Sequence, residues 1–260
     1  MKEGGRGLRI LKIGGSVLTE KKTAGGVKLE EIKRIAGEIA VKSENLILIH
    51  GAGSYGHPQA RAFKLNQGLR DENFLGVLIT HEAVRNLNDC FIKALLEQGI
   101  KAAPVHPFSC ATLKNGRIAS FEYKVIETML QRGILPVLHG DVAMDVKKGV
   151  GILSGDEIVV YLAKQFKAKQ IGLGTDVEGV LDHKGVLIPE LTPNSFKILR
   201  KLFKDSNVID VTGGMLGKVE ALMGLAKAGI KSRIFSAAKR GNVEAFLSGE
   251  ENFGTLIRGE

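Results

Sequence analysis

The chain alternates between short apolar runs and longer amphipathic segments. Residues 46–49, Leu-Ile-Leu-Ile, form a fully apolar run, which is typical of a strand buried in a parallel sheet. Apolar residues recur at helical spacing over about residues 29–42 and again over about residues 72–97. A similar succession resumes at Gln170 and ends at residues 255–257, which are predicted to form an edge strand.

Strands separated by helices along the whole chain predict an α/β fold, a three-layer αβα sandwich with a mainly parallel central sheet. Two hairpins interrupt this order, one with a turn at Asn115-Gly116 and one with a turn at residues 147–149. We expect both to lie over the carboxyl ends of the parallel strands. Because no Pro-rich or Ser-rich linker divides the chain, the sequence predicts one domain over residues 1–260. Its N-terminal lobe would cover about residues 1–168 and its C-terminal lobe about residues 169–260.

The first predicted strand carries an unexpected charge. An apolar run over residues 10–13 contains one charged residue, Lys12, and then breaks at Gly14-Gly15-Ser16. Two adjacent glycines followed by a hydroxyl allow the backbone to approach a bulky anion and to direct several N–H groups at it. A lysine inside an apolar strand is poorly explained as a surface charge. This stretch therefore predicts phosphate binding, with Lys12 and Lys21 as flanking positive charges.

Four further glycine-containing loops follow strands or open helices. They are Gly51-Ala52-Gly53-Ser54, Ser154-Gly155-Asp156, Gly174-Thr175-Asp176 and Gly213-Gly214. Ligands bind outside the carboxyl ends of the strands in an open α/β sheet, so we expect all five loops to converge on one edge. A single glycine loop would be weak evidence, because turns need glycine anyway. Five loops with hydroxyls, acids or lysines attached favour a functional site.

Two nucleotide-binding patterns fail to fit. Residues 51–56 match G-x-G-x-x-G and Asp71 follows about 20 residues on, but residues 62–70 contain no apolar run for the strand that should end at this acid. Lys218 is not followed by Ser or Thr, and Thr212 stands where the Walker pattern requires its first glycine. A dinucleotide-dependent oxidoreductase is therefore a distant alternative.

The composition is ordinary for a globular chain, with 44% hydrophobic residues, 25% charged residues and a net charge of +9. The chain has 5% aromatic residues, no Trp and no long basic run, so we expect no nucleic acid as a partner. We expect no membrane span and no signal peptide. Cys90 and Cys110 form no metal-binding pattern, and we interpret both as free thiols in the cytoplasm.

Taken in order, the motifs resemble those of the amino acid kinase superfamily over about residues 8–220. The matching motifs are Lys12-x-Gly14-Gly15-Ser16, the Gly-x-Gly-Ser second loop, Ser154-Gly155-Asp156, Thr175-Asp176-Val177-x-Gly179-Val180 and Gly213-Gly214-Met215-x-x-Lys218. Within the superfamily, residues 51–57 together with Thr19-x-Lys21 most closely resemble the isopentenyl phosphate kinases. The resemblance implies ATP-dependent phosphorylation of isopentenyl phosphate to isopentenyl diphosphate, in the archaeal-type mevalonate route of isoprenoid biosynthesis. It also implies an amino acid kinase-like fold, Mg²⁺ with the ATP, a homodimer, and acceptor and nucleotide sites in the N-terminal and C-terminal lobes respectively.

The resemblance also assigns roles to single residues. Lys12 and Lys218 would hold the ATP β- and γ-phosphates, and Lys21 would follow the transferred phosphoryl group. Asp156 would orient the lysines, and His57 would bind the acceptor phosphate. The other implied contacts are backbone N–H groups toward ATP from Gly14, Gly15, Ser16 and Gly53, nucleotide contacts from Asp176 and Gly214, and N–H groups toward the acceptor from Ala52 and Gly155.

Simpler explanations stay open for several of these residues. Lys21 lies beside Lys22 in a polar loop, His57 precedes Pro58 as a loop residue would, and Asp156 stands where an acid favours a helix N-terminus. The remaining histidines show no metal-ligand spacing and are interpreted as structural: His50, His81, His106, His139 and His183.

The function also has alternatives. One alternative is that the chain is a kinase of the same fold that phosphorylates fosfomycin, UMP, carbamate or glutamate. Another is that it is a regulatory protein that binds ATP without catalysis. Apolar residues of the helix over residues 72–97 are candidate walls for a branched five-carbon tail, although the same positions suit a core.

Overall fold

The computed structural model describes residues 7–20, 26–205 and 214–260. Within these ranges the strands are β1 (Arg9–Ile13), β2 (Leu46–His50), β3 (Ala102–Pro104), β4 (Ala111–Lys114), β5 (Arg117–Phe121), β6 (Leu135–His139), β7 (Asp141–Asp145), β8 (Gly149–Leu153), β9 (Gln170–Thr175), β10 (Glu190–Leu191), β11 (Lys231–Ser236) and β12 (Thr255–Ile257). The helices are α1 (Gly15–Leu18), α2 (Leu29–Ala40), α3 (Gly53–Ala62), α4 (Phe74–Glu97), α5 (Pro107–Cys110), α6 (Lys124–Gln131), α7 (Gly155–Gln165), α8 (Pro193–Asp205), α9 (Met215–Ala226) and α10 (Asn242–Ser248). None of these helices combines the length and the apolar character that crossing a membrane would require.

Eight strands form the central sheet in the order β10-β12-β11-β9-β1-β2-β6-β3. β1 runs parallel to both of its neighbours, so Lys12 stands opposite Ile49 on one side and Leu173 on the other. Successive side chains of β1 enter two different cores, because Ile10 packs into the cluster on one face and Leu11 into the cluster on the other. The predicted three-layer sandwich with a mainly parallel sheet is confirmed.

The two predicted hairpins are confirmed, and they combine into a second sheet of four strands. β4 pairs with β5 and β7 with β8 in antiparallel fashion, and β4 joins β7 in parallel. The side chain of Ser154 caps α7 by accepting a hydrogen bond of 3.1 Å from Glu157 N. The Glu157 carboxylate accepts a hydrogen bond of 2.9 Å from Ile118 N. This acid therefore fixes the first hairpin against α7.

In the first turns of α4, the buried residues differ from those that the sequence pattern predicts. The apolar spacing placed Leu75 and Leu78 on the buried side of the helix, but the structure leaves them 61% and 44% exposed. Val77 is buried instead. The reason is a close approach at Gly76, where an added Cβ would lie 2.2 Å from the Phe63 ring. The chain after α3 therefore covers the side of the helix that contains Gly76 and Val77.

The last strand is not the predicted edge strand. β12 lies between β10 and β11, parallel to the former and antiparallel to the latter. The strand that covers it, β10, contains only two residues, too few to produce a periodic pattern in the sequence. A further strand predicted at residues 208–211 lies outside the described residues.

Candidate active site

A cleft of about 900 Å³ opens at the carboxyl ends of the central strands. Its walls come from the loops after β1, β2 and β9 and from the first turns of α7 and α9. These are the loops that the sequence predicted to converge, as expected for an open α/β sheet. The cleft therefore joins segments from distant parts of the chain, from Lys12 to Lys218.

A carboxylate between two lysines lies in this cleft. The distance from Lys12 Nζ to Asp156 Oδ1 is 2.9 Å, and that from Lys218 Nζ to Asp156 Oδ2 is 3.5 Å. Burial would raise the pKa of Asp156, but the two ammonium groups outweigh it and hold the pKa of the carboxyl below its usual range. Asp156 is therefore ionised at neutral pH and keeps the two cations side by side.

The three groups leave one net positive charge. Lys12 is only 6% exposed, so water screens its charge weakly and an anion that enters the cleft is attracted more strongly than at an open surface. Lys218 Nζ also donates a hydrogen bond of 3.4 Å to Gly214 O, and this contact holds the ammonium group near the start of α9.

The first and second loops are packed backbone to backbone. A Cβ on Gly15 would lie 2.2 Å from Gly53 N, and a Cβ on Gly51 would lie 2.6 Å from Gly15 N. Gly53 has a φ of +53°, which glycine adopts without steric cost. The Thr19 hydroxyl joins the loops, because it donates to Gly15 O at 2.9 Å and accepts from Ser54 N at 3.0 Å.

Most of the predicted backbone donors lie at helix starts. The backbone N–H groups in the first turn of a helix have no acceptor within that helix. Four predicted donors lie in the first turns of α1, α3 and α7, namely Gly15, Ser16, Gly53 and Gly155. Gly14 differs, because its N–H donates to Gly174 O at 2.7 Å. This hydrogen bond gives Gly14 a structural role, holding the first loop against β9, that the sequence did not predict.

His57 lies on α3 and lines the cleft. The sequence left open whether it belongs to a loop, and the structure places it on the helix instead, one residue before Pro58. His57 keeps part of its surface exposed to solvent, and its partial desolvation in the cleft, together with the positive charges of Lys12, Arg61 and Lys218, lowers its pKa. The imidazole is therefore mostly neutral at neutral pH, and an anion bound beside it would favour its protonated form.

The structure brings together every described residue that the sequence singled out. Those that line the cleft are Lys12, Gly14, Gly15, Ser16, Ala52, Gly53, His57, Gly155, Asp156, Asp176, Gly214 and Lys218. Lys21 lies outside the described residues. On the loop after β9, the Thr175 hydroxyl donates to Val177 O at 2.8 Å and so shapes the turn that carries Asp176.

Sequence reasoning proposed the helix over residues 72–97 as a wall of the cleft but did not identify which residues form that wall. Thr80 and Val84 of α4, Asp141 of β7 and Ile152 of β8 also line the cleft. The spacing of Thr80 and Val84 places them on one helix face, but that signal serves equally well for a core. Asp141 gave no signal, because an acid after a glycine usually marks a turn.

Asp141 contacts His81, which belongs to a group of histidines beside the cleft. His81 Nδ1 lies 3.0 Å from Asp141 Oδ2, and His106 Nδ1 lies 3.0 Å from His139 Nε2. Burial lowers the pKa of His50 to about 4 and raises the pKa of Asp141. The rings of His50, His81, His106 and His139 lie in one group, and the structural interpretation of all five histidines stays a prediction.

Comparison with known proteins points to one family. The family model described as "Amino acid kinase family" matches residues 7–236. A Methanothermobacter thermautotrophicus protein named isopentenyl phosphate kinase is 35% identical, over 96% of this chain and 99% of its own. A Haloferax volcanii protein of the same name is 38% identical, over 97% of this chain and 99% of its own.

Solved structures agree with the sequence relatives. One described as "X-ray structures of isopentenyl phosphate kinase" matches with a TM-score of 0.84 and 31% identity, over 96% of this chain and 100% of that chain. Another, an isopentenyl phosphate kinase substrate complex, matches with a TM-score of 0.80 and 25% identity, over 97% of this chain and 100% of that chain. The chain therefore belongs to the amino acid kinase family and, within it, to the isopentenyl phosphate kinases.

Proposed function

We propose that this chain transfers the γ-phosphoryl group of ATP to isopentenyl phosphate, which yields ADP and isopentenyl diphosphate. The observation that carries the proposal is the single cleft in which the Lys12–Asp156–Lys218 cluster and His57 lie together. Two phosphate-bearing molecules need two sets of donors in one cleft, and these residues supply them. We place the reaction in isoprenoid biosynthesis by an archaeal-type mevalonate pathway.

The lysine cluster holds the donor phosphates. Phosphoryl transfer depends mainly on positioning and on neutralising the charge of the moving group and the leaving oxygen. Asp156 keeps two ammonium groups close together, which would otherwise repel each other, and they offer positive charge to the β- and γ-phosphates. The N–H groups of Gly15, Ser16 and Gly53 add directed donors, and Asp176 and Gly214 lie along the nucleotide. Lys21 follows the phosphoryl group to the acceptor.

His57 binds the acceptor phosphate, together with the N–H groups of Ala52 and Gly155. A phosphate monoester has a second pKa of about 6 and is already a nucleophilic anion at neutral pH, so the reaction needs no general base. The lowered pKa of His57 fits this role, because a neutral imidazole still donates one N–H and the incoming dianion favours protonation of the other nitrogen.

The wall beside His57 suits a short hydrocarbon tail. Ala60 and Ile152 line the same cleft and are partly exposed, whereas Val84 is fully buried and packs against Gly56. The Thr80 hydroxyl donates to Gly76 O at 2.7 Å, so its polar atom is already engaged. A carboxylate or a uracil ring in this place would lose hydrogen bonds to water without replacement. The wall therefore favours isopentenyl phosphate over UMP or glutamate as the acceptor.

Mg²⁺ belongs to the proposal as the partner of the ATP phosphates. Among the described residues no group of three His, Cys, Asp or Glu side chains could hold a metal ion. Mg²⁺ usually keeps several waters and binds through substrate phosphates with one or two carboxylates, so this set of residues fits a metal that enters with ATP. When bound, the ion would add positive charge to that of Lys12 and Lys218.

We also propose a cytoplasmic homodimer in which each chain has two lobes. Residues 1–168 would bind the acceptor and residues 169–260 the nucleotide. The exposed apolar side chains at the start of α4 are a candidate subunit contact: Phe74, Leu75 and Leu78. Cys90 and Cys110 are free thiols, which suits a reducing compartment. Light scattering on the purified chain measures the oligomeric state.

Phosphorus NMR tests the proposed reaction. In a mixture of the chain, ATP, Mg²⁺ and isopentenyl phosphate, we expect the monophosphate resonance to be replaced by the two coupled resonances of a diphosphate ester. ADP should form in equal amount. Consumption of ATP with an unchanged monophosphate resonance would overturn the assignment of the acceptor.

A further inference from the structure

A second pocket, of about 400 Å³, lies at the opposite end of the central strands from the cleft. Its lining includes Arg9, Gln170 and Lys231, the first residues of β1, β9 and β11, which stand side by side in register. The end of α10 closes another side. Pockets of about this size, roughly 300–1,000 Å³, commonly hold small molecules.

Positive charge dominates the lining of this pocket. Four cationic side chains and one carboxylate contribute to it, namely Arg9, Lys169, Lys231, Arg233 and Glu251. The Arg9 guanidinium donates to Lys42 O, Glu44 O and Leu247 O. These carbonyls orient the guanidinium, and the lining as a whole contains more cationic than anionic side chains.

Arg233 shows the excess most clearly. The residue is only 4% exposed, its Nη1 donates to Phe253 O, and its guanidinium lies 5.0 Å from the centre of the Phe253 ring. Neither contact neutralises it. Within the described ranges the buried Nε of Arg233 has no hydrogen-bond partner. Burial lowers the pKa of this guanidinium, against the opposing effect of Glu251. A buried cation of this kind is stabilised by an anion.

Ser232 supplies a second polar group that lacks a partner. It is 1% exposed, it lines the pocket, and its buried hydroxyl makes no hydrogen bond within the described part of the chain. Because successive side chains of β11 point to opposite faces of the sheet, Lys231 and Arg233 share one face and are the donors for a phosphate oxygen there. Leu247 and Leu256 line the pocket as well, so an apolar body of a few carbons also finds contacts.

We propose that this pocket is a second anion site, separate from the cleft, which binds a small organic diphosphate with a short apolar body. Arg233 and Lys231 contact the phosphates, and the two leucines contact the apolar body. The site lies at the amino-terminal ends of β1 and β9, whereas the lysine cluster lies at the carboxyl ends of the same strands. Occupation of one site therefore does not block the other.

Calorimetric titration tests this site with inorganic pyrophosphate and n-butyl diphosphate as probes. The full-length chain is titrated at fixed ionic strength, in the presence of a saturating non-hydrolysable ATP analogue and with His57→Gln to weaken acceptor binding in the cleft. We expect one binding event to persist, with the butyl compound binding about tenfold more tightly than pyrophosphate because it buries additional CH₂ groups.

Variants of the pocket residues then show whether the binding event takes place in this pocket. Lys231→Gln and Arg233→Met should each weaken binding about tenfold or more, as the loss of a charged hydrogen bond requires. Lys239→Gln removes the same charge from an exposed residue outside the pocket and should leave binding unchanged. Lys231 is exposed, so its variant also answers the question if Arg233→Met fails to fold. The proposal is overturned if no event persists, or if the event is indifferent to Lys231→Gln.

Discussion

Lys12 Nζ lies 2.9 Å from Asp156 Oδ1, and this ion pair links the centre of the sheet to the first turn of α7. The pair explains how a charge is tolerated inside the apolar strand β1. Since Lys218 approaches the other carboxylate oxygen at 3.5 Å, a single acid holds both cations. Asp156 is therefore a positioning residue for the lysines, and its removal should affect both.

Asp156→Asn should lower kcat by about 10²–10³, because Lys12 and Lys218 would repel each other without the shared carboxylate. The free energy of unfolding should fall by about 1–3 kcal/mol, less than for a fully buried pair because Asp156 is partly exposed. Steady-state kinetics and urea unfolding measure the two effects. Asp71→Asn, an exposed acid outside the cleft, should change neither quantity.

The pH dependence of stability gives a separate check on Asp156. Its pKa is lower in the folded chain than the ordinary value of about 3.9. Its stabilising contribution is therefore complete above that value and is lost as the pH falls through the folded pKa. The difference in unfolding free energy between wild type and Asp156→Asn should be constant from about pH 5 to 7 and should shrink below about pH 4. A difference that grows on acidification would contradict the ion pair.

Lys21 and Lys22 form a matched pair for a test of the transferring lysine. If Lys21 follows the phosphoryl group, Lys21→Met should lower kcat by about 10²–10³ with little change in the KM for ATP, since the contact is made in the transition state. Lys22→Met removes the same charge one residue away and should change kcat by less than about twofold. Equal effects of the two variants, or the reverse order, would refute the assignment.

If His57 contacts the acceptor phosphate alone, as proposed, His57→Gln should raise the KM for the acceptor about tenfold or more and leave the KM for ATP nearly unchanged. Initial rates with each substrate varied in turn measure the two constants. Lys64→Gln, an exposed residue beyond the end of α3 and outside the cleft, is the control, with less than about a twofold effect expected. An equal loss of affinity for ATP would place His57 on the donor side instead.

Gly15→Ala should damage both stability and activity, because its Cβ would lie 2.2 Å from Gly53 N and would force the first two loops apart. We expect a loss of about 1–3 kcal/mol and a large fall in kcat. Gly224→Ala is the matched control, since its Cβ would meet nothing within 4 Å on α9. It should stabilise the chain by about 0.5–1 kcal/mol through helix propensity. Urea unfolding compares the two variants.

The sequence predicted the parts of the site that depend on local chemistry. Lys12 could be found because a charge in an apolar strand needs a partner, and Gly15 and Gly53 because close backbone contact excludes any larger residue. Asp156 could be placed near the lysines only through the resemblance, since no local pattern connects residues so distant in the chain. Topology then joined them, because parallel strands end at the same edge of the sheet.

Features decided by tertiary packing could not be predicted. The exposure of Leu75 depends on the segment that covers Gly76, and the position of β12 depends on the two-residue strand β10. The tail wall shares its helix with core positions, and only the structure separates Val84, which lines the cleft, from Phe91, which packs in the core.

The central claim is that the acceptor is isopentenyl phosphate, and a comparison of kcat/KM across acceptors tests it most directly. ADP release is measured with ATP and Mg²⁺ against isopentenyl phosphate, fosfomycin, UMP and N-acetylglutamate under identical conditions. We predict a kcat/KM for isopentenyl phosphate at least about 10²-fold above that of every other acceptor, because the apolar wall and His57 act together. A higher value for another acceptor, or ATP binding without turnover of any of them, would contradict the proposed function.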